Sequence, residues 1–141
     1  MIPIEIPESE YLYSGISQIE NAGNGLFTAI KIYKGEIIAI FKGKVLNETQ
    51  IEKRIDMKQD QYFMNLPNGT ILDAGKTKGF AKLANDAQAF DDSLFKNNSI
   101  ISIDEEENIC LVAKRLIKSG EEIFCSYGKR YWKKHITTNK I

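Results

Sequence analysis

Short β-branched runs, each closed by a turn signal, recur along the chain at intervals that suit small sheets and little else. Tyr11–Ile19 alternates loosely and runs into Asn21-Ala22-Gly23-Asn24-Gly25, Leu26–Ile32 ends at Lys34-Gly35, and Glu36–Phe41 ends near Gly43. Tyr62–Leu66 and Thr70–Asp73 flank Pro67-Asn68-Gly69, while Ser99–Ile103 and Ile109–Ala113 flank Asp104–Asn108, so each pair predicts a hairpin. Glu122–Tyr127 reads as the last strand. One segment reads as helix. Asn47 is an N-cap with Gln50 placed to complete a capping box, Ile51 and Ile55 share a face, and Glu52, Lys53, Arg54 and Lys58 are left for solvent. The stretch from Gly75 to Asn98 has no strand period and is too long for an idle loop, so it is either functional or partly disordered. The expectation is an irregular, mainly β fold with one or two short helices, in a single domain spanning 1–141.

Composition removes whole classes of chemistry. With one histidine, His135, and with Cys110 and Cys125 too far apart for a Cys-x-x-Cys pair, the chain has no Cys/His zinc set, and no metal is expected. A Ser-His-Asp or Cys-His hydrolase would need its base in the lysine-rich end of the chain. Lysine plus arginine number 19 and aspartate plus glutamate 19, so no basic excess is available for phosphates and no direct nucleic-acid partner is expected. The longest apolar run, Ile37–Phe41, is far too short to span a membrane, and Met1–Glu10 carries acids where a signal peptide needs positive charge. Two unpaired cysteines in strand-like surroundings suit a reducing compartment. The expected setting is intracellular, with nucleus and cytoplasm both open.

Two stretches echo one another: Ala29–Ile37 and Ala113–Ile123 both carry an apolar anchor, then a lysine and glycine, then a strand. Nothing between them matches, so the echo reads as one turn device used twice and not as a repeat.

Three further stretches could carry chemistry. In Asn21–Phe27, glycines at 23 and 25 let a backbone approach a ligand and expose its N–H groups; the same pattern also serves a plain tight turn, and no helix follows it to make a dinucleotide site. Lys82-Leu83-Ala84-Asn85-Asp86-Ala87 sits inside the aperiodic stretch, where Asn more often closes a turn. Glu121–Gly128 reads, by itself, as a strand with a packed tyrosine.

Taken in order, the three resemble the SET-domain lysine methyltransferases. Gly23-Asn24-Gly25-Leu26-Phe27 is similar to the family's first turn motif, Leu72-Asp73-Ala74 leading to Lys82–Asp86 to its Asn-His motif, and Gly120-Glu121-Glu122-Ile123 through Tyr127 to its Gly-Glu-Glu-Leu…Tyr motif. Asn98-Ser99 resembles the step before the family's second hairpin, and the likeness runs from about residue 12 to about residue 132. It implies small curved sheets, β-clip-like, with a knot-like threading at the active site. It also implies S-adenosyl-L-methionine entering from one face and a lysine-bearing protein or peptide from the other. Carried over by position, Ala22, Asn24 and Gly25 meet the cofactor's methionine end. Asn85 and Asp86 hold its amino group and adenine, with Lys82 nearby and Trp132 closing from the C-terminal side. Tyr127 is the implied catalytic tyrosine, Tyr62 acts with it, and Tyr62, Cys125, Tyr127 and Tyr131 line the substrate channel.

The resemblance agrees with what composition left standing, since methyl transfer to an amine needs no imidazole. Asp86 stands where the family has histidine, which keeps open an alternative: a catalytically silent SET-like module that binds a peptide or the cofactor. Cys125, smaller than the Phe or Tyr often found there, predicts room for a second or third methyl; its other reading is a small buried hydrophobe. Acidic Asp91-Asp92 and Asp104–Glu107 suit a basic peptide such as a histone tail, or are solvated loop charge. The chain has no cysteine-rich flanking segments, so it resembles the free-standing forms, in which Tyr131-Trp132 closes the site alone or a partner copy helps, as in a homodimer.

Overall fold

A computed structural model describes residues 1–60, 63–66, 69–75, 79–89 and 94–126. In chain order its elements are β1 (Ile2–Pro3), α1 (Glu8–Tyr11), β2 (Leu12–Ile16), β3 (Asn24–Thr28), β4 (Glu36–Ile40), β5 (Lys44–Leu46) and α2 (Glu48–Asp56). Then come β6 (Phe63–Asn65), β7 (Ile71–Asp73), two 3₁₀ turns (Ala81–Leu83 and Ala87–Ala89), β8 (Ser99–Ile103), β9 (Ile109–Ala113), β10 (Glu122–Ile123) and β11 (Cys125–Ser126). The mainly β expectation holds. The strands form three small sheets, ordered β1-β4-β9-β8-β11, β10-β3-β2 and β5-β7-β6.

Local chemistry explains the best-read elements. α2 starts where it does because Asn47 Oδ1 accepts the Gln50 N–H at 2.9 Å while Gln50 Oε1 accepts the Asn47 N–H at 3.1 Å, satisfying two otherwise orphaned donors. β8 and β9 pair in register from Ser99↔Ala113 to Ile103↔Ile109. Their turn is closed by Asp104, whose Oδ1 accepts the Glu106 N–H at 2.9 Å and the Asn108 N–H at 2.8 Å, with Glu107 in the left-handed region at φ 65°. β6 and β7 make the other expected hairpin.

β9 is buried along its whole length, and Leu111 packs with Leu26, Ile32, Ile38, Ile117 and Ile123 in the main core. Burying a side chain of this size is worth about 1.5–3 kcal/mol, so these residues hold the sheets together. The two echoing bends meet there. Ile32 and Ile117 exchange both backbone hydrogen bonds at 2.8 Å, Gly35 N–H donates to Ala113 O and Gly120 N–H to Thr28 O. Gly35 and Gly120 have φ of 88° and 84°, which glycine alone adopts without strain. The echo is therefore one device used twice and docked against itself.

One element departs from the sequence reading. Glu122–Ser126 is not a single strand: β10 pairs with β3 in one sheet, and β11 runs parallel to β8 in another. The break falls at Phe124, whose N–H donates to Asn98 Oδ1 at 2.9 Å, while its C=O accepts from Asn98 N at 3.0 Å and Ser99 Oγ at 2.8 Å. The stretch from Gly75 to Asn98 carries the two 3₁₀ turns, and Asn85 forms a parallel bridge with Phe124. The crossing through which residues 127 onward would pass lies outside the described residues.

Candidate functional site

The antiparallel β2–β3 register, Gly15↔Gly25 and Ile16↔Asn24, brings the glycine turn to one end of its sheet. The loop between closes on itself, with Ser17 N–H donating to Gly23 O at 2.8 Å and Ala22 N–H to Ile19 O at 3.2 Å. Asn21 and Gly23 have φ of 67° and 73°, so the chain reverses here through the left-handed region. Asn24 is left exposed and Ala22 half-buried. Gly25 is buried, and a Cβ there would overlap the Glu122 carboxylate and press on Asn85 Nδ2. Only glycine lets the Glu122 carboxylate close on the turn.

Asn85 joins all three motifs. Its Nδ2 donates to Asn24 O at 3.0 Å, and its backbone O accepts the Cys125 N–H at 2.9 Å. The first turn, the Asn motif and the last strand, distant in sequence, thus converge on one residue. Asp86, next to it, is buried; its Oδ1 accepts from Asn97 Nδ2 and from the Gln88 N–H, both at 2.9 Å. Lys82 lies one turn earlier, and its Nζ donates to Gly75 O at 3.0 Å, clamping the turn that follows β7. Cys125 is wholly buried and belongs to the main core. Tyr62, Tyr127, Tyr131 and Trp132 lie outside the described residues.

Two residues that sequence reasoning left without a role complete the arrangement. Glu122 is fully buried; its Oε2 accepts from Ser17 Oγ at 2.7 Å and its Oε1 from the Gln18 N–H at 2.8 Å. Asn98, also fully buried, donates from Nδ2 to Glu122 O at 2.9 Å and holds both sides of the Phe124 peptide. The sequence carries little signal for either, since Asn98 stands between Asn97 and Ser99 and Glu122 follows Glu121; burial is what marks them, because a buried polar group needs a specific partner. Beside the turn a small apolar cluster of Ile19, Ala87 and Phe124 packs against Ala22, and Phe95 lies over Phe124 with ring centroids 5.4 Å apart. The arrangement therefore ties a glycine turn, exposed at Gly23 and Asn24, to the last strand through one amide, beside a small apolar cluster that contains Phe124.

Comparison with known proteins gives the same picture. A family model for the SET domain matches residues 23–128. A histone-lysine N-methyltransferase of Coccidioides immitis, H3 lysine-36 specific, is 26% identical over 124 residues, covering 84% of this chain and 12% of its own length. The histone-lysine N-methyltransferase mes-2 of Caenorhabditis elegans is 29% identical over 119 residues, covering 82% of this chain and 15% of its own. The chain thus spans only a small part of these curated relatives. Among solved structures, ctPRC2 in an autoinhibited conformation bound to S-adenosylmethionine superposes with a TM-score of 0.67 at 26% identity, over 92% of this chain and 17% of that one. Chaetomium thermophilum Polycomb Repressive Complex 2 bound to GSK126 gives 0.68 at 27%, over 89% and 17%.

Proposed function

The chain belongs to the SET-domain family, and from that premise we propose that it is a protein-lysine N-methyltransferase that moves a methyl group from S-adenosylmethionine to a lysine ε-amine. A histone tail is the substrate class suggested by the names of its relatives. The observation that carries the reading is the meeting of Asn24, Asn85 and Cys125 through two hydrogen bonds, because these belong to the three motifs that share the chemistry in this family.

The fit of a donor molecule rests on the turn that ends at Gly25, where the absence of a side chain lets Glu122 pack against the backbone and leaves Asn24 exposed at its edge. Bound there, S-adenosylmethionine supplies an electrophilic methyl on a sulfonium. Ala22, Asn24 and Gly25 would hold its methionine end. Asn85 and Asp86 would hold the amino group and adenine, with Lys82 beside them and Trp132 opposite. Tyr62, Cys125, Tyr127 and Tyr131 would form the lysine channel, with Tyr127 as the catalytic phenol. The channel's task is to present a neutral amine in line with the methyl, and an unperturbed lysine, with a pKa of about 10.4, costs roughly 4 kcal/mol to neutralise near neutral pH. Apolar and aromatic walls lower that cost by desolvating the ammonium.

The test is methyl transfer from labelled donor to mixed core histones and to free histone tails, read by mass spectrometry. Transfer by the wild type, and its loss in Tyr127→Phe with S-adenosylhomocysteine still bound, is the expected result. Absence of both transfer and cofactor binding in the wild type overturns the reading.

A further inference from the structure

We propose that Glu122 is a positioning residue for the methyl donor, setting the cofactor turn from beneath; this rests on the methyltransferase reading above. Its carboxylate starts on β10, lies against Gly25 of β3 and ends on the loop that leaves β2, so one side chain spans three strands of the second sheet. Through Ser17 Oγ and Gln18 N–H it fixes the first two residues of that loop. Ser17 passes the constraint on. Its Oγ accepts the Ile19 N–H at 3.1 Å, and its own N–H reaches Gly23 O at 2.8 Å. Ser17 and Gln18 are thereby held by the carboxylate directly, Ile19 and Gly23 through Ser17, and Ala22 one bond further on through Ile19.

Stability alone does not account for this choice of residue. A fully buried carboxylate with two donors is costly, and among the described residues the ion pairs are Arg54–Asp73 and Arg115–Glu121, neither of which involves Glu122. An apolar side chain of similar volume would fill the space at lower cost and leave the loop unheld. Gly25 carries the complementary constraint, since any Cβ would displace the carboxylate. The pair is matched to hold one backbone shape with Asn24 at its exposed edge.

The experiment compares Glu122→Leu, Glu122→Gln and Ser17→Ala with the wild type. It reads S-adenosylhomocysteine affinity by calorimetry, donor KM, peptide KM, kcat and thermal midpoint. Glu122→Leu is expected to weaken S-adenosylhomocysteine and raise donor KM by about tenfold or more, the scale of lost hydrogen bonds to a charged group. Peptide KM and the thermal midpoint stay near wild type. Glu122→Gln recovers part of the loss, and Ser17→Ala, on the loop itself, loses about threefold to fivefold even where Glu122→Leu fails to fold. Donor affinity within twofold of wild type in folded Glu122→Leu or, where that does not fold, in Ser17→Ala overturns the proposal, as does an equal rise in peptide KM. A wild type that binds S-adenosylhomocysteine and transfers methyl keeps the functional reading standing when the variants contradict the role of Glu122. A wild type that does neither removes both.

Discussion

Asp86 and Asn97 hold one another in the interior: Asn97 Nδ2 donates to Asp86 Oδ1 at 2.9 Å, and the two are only 6% and 5% exposed. Asn97 Oδ1 accepts the Ala87 N–H at 2.8 Å, and Asp86 Oδ1 also takes the Gln88 N–H, so the pair satisfies the first two N–H groups of the 3₁₀ turn at Ala87–Ala89. The Asp86 carboxylate thus has a structural occupation. Asp86→Ala strands the Asn97 amide and opens the turn, which should cost about 2 kcal/mol in the urea midpoint, with Asp86→Asn costing about half. An unchanged midpoint in Asp86→Ala would show that the pair contributes nothing.

Arg54 ties α2 to the third sheet. Its Nε lies 3.2 Å from Asp73 Oδ2, while Asp73 Oδ1 accepts the Gly75 N–H at 2.9 Å; the Arg54 side chain is 16% exposed and Asp73 5%. α2 buries none of its residues completely, so this pair is its main polar anchor. Removing one partner of a fully buried pair costs about 3–5 kcal/mol, and partial exposure of Arg54 brings the expectation for Arg54→Met to about 2 kcal/mol. Equilibrium unfolding in urea measures it, and a loss below about 0.5 kcal/mol would class the pair with ordinary surface ion pairs.

What was legible in the sequence was what is decided locally. The β8–β9 hairpin and the α2 capping box follow from residues within a few positions of one another, and both stand where the pattern put them. The break between β10 and β11 was not legible because its cause, Asn98, acts on Phe124 from 26 residues away. β1, β5 and α1 are two to four residues long, too short for any periodicity, and exist because neighbours pair with or cover them. At the candidate site the three motifs could be placed in order, but not Glu122: a strand pattern marks which positions face inward, and says nothing of why one of them is a carboxylate.

Glu121 should make stability fall in acid. Burial pushes its carboxyl up, but hydrogen bonds from Arg115 and the Lys118 N–H, with the charge of Arg115, outweigh burial and hold it below the usual 4.5. A carboxyl depressed in the folded state stabilises fully above its unfolded value and loses that contribution as pH falls through its folded value. Urea midpoints should therefore drop more steeply in the wild type than in Glu121→Gln below about pH 4.5, and the difference should shrink in high salt. Parallel curves would mean that the Arg115 contact is not kept in solution.

Both cysteines should be silent in the native protein. Cys110 and Cys125 form no disulfide and are fully buried, and burial, assisted by Asp104 and opposed by the N-terminal amine, pushes the Cys110 thiol up to about 11. Thiolate is the reactive form, so at about pH 8 a thiol reagent should find almost none until the chain is unfolded, when both react. A fast-reacting equivalent before unfolding would contradict the burial of these strands.

Asn85 gives the most direct test of the site, because its side chain and backbone do different jobs. The backbone O receives the Cys125 N–H and is untouched by substitution, whereas Nδ2 is the donor that holds Asn24 O. Asn85→Ala should leave the fold intact and weaken S-adenosylhomocysteine about fivefold to tenfold, the worth of one hydrogen bond that shapes a binding surface. Asn85→Asp should be worse than Asn85→Ala, since it sets a carboxylate against the Asn24 carbonyl in place of a donor and drives the turn away. Calorimetry on the three proteins checks the order. Wild-type affinity in Asn85→Asp would detach Asn85 from the donor site, and with it the convergence of motifs on which the assignment rests.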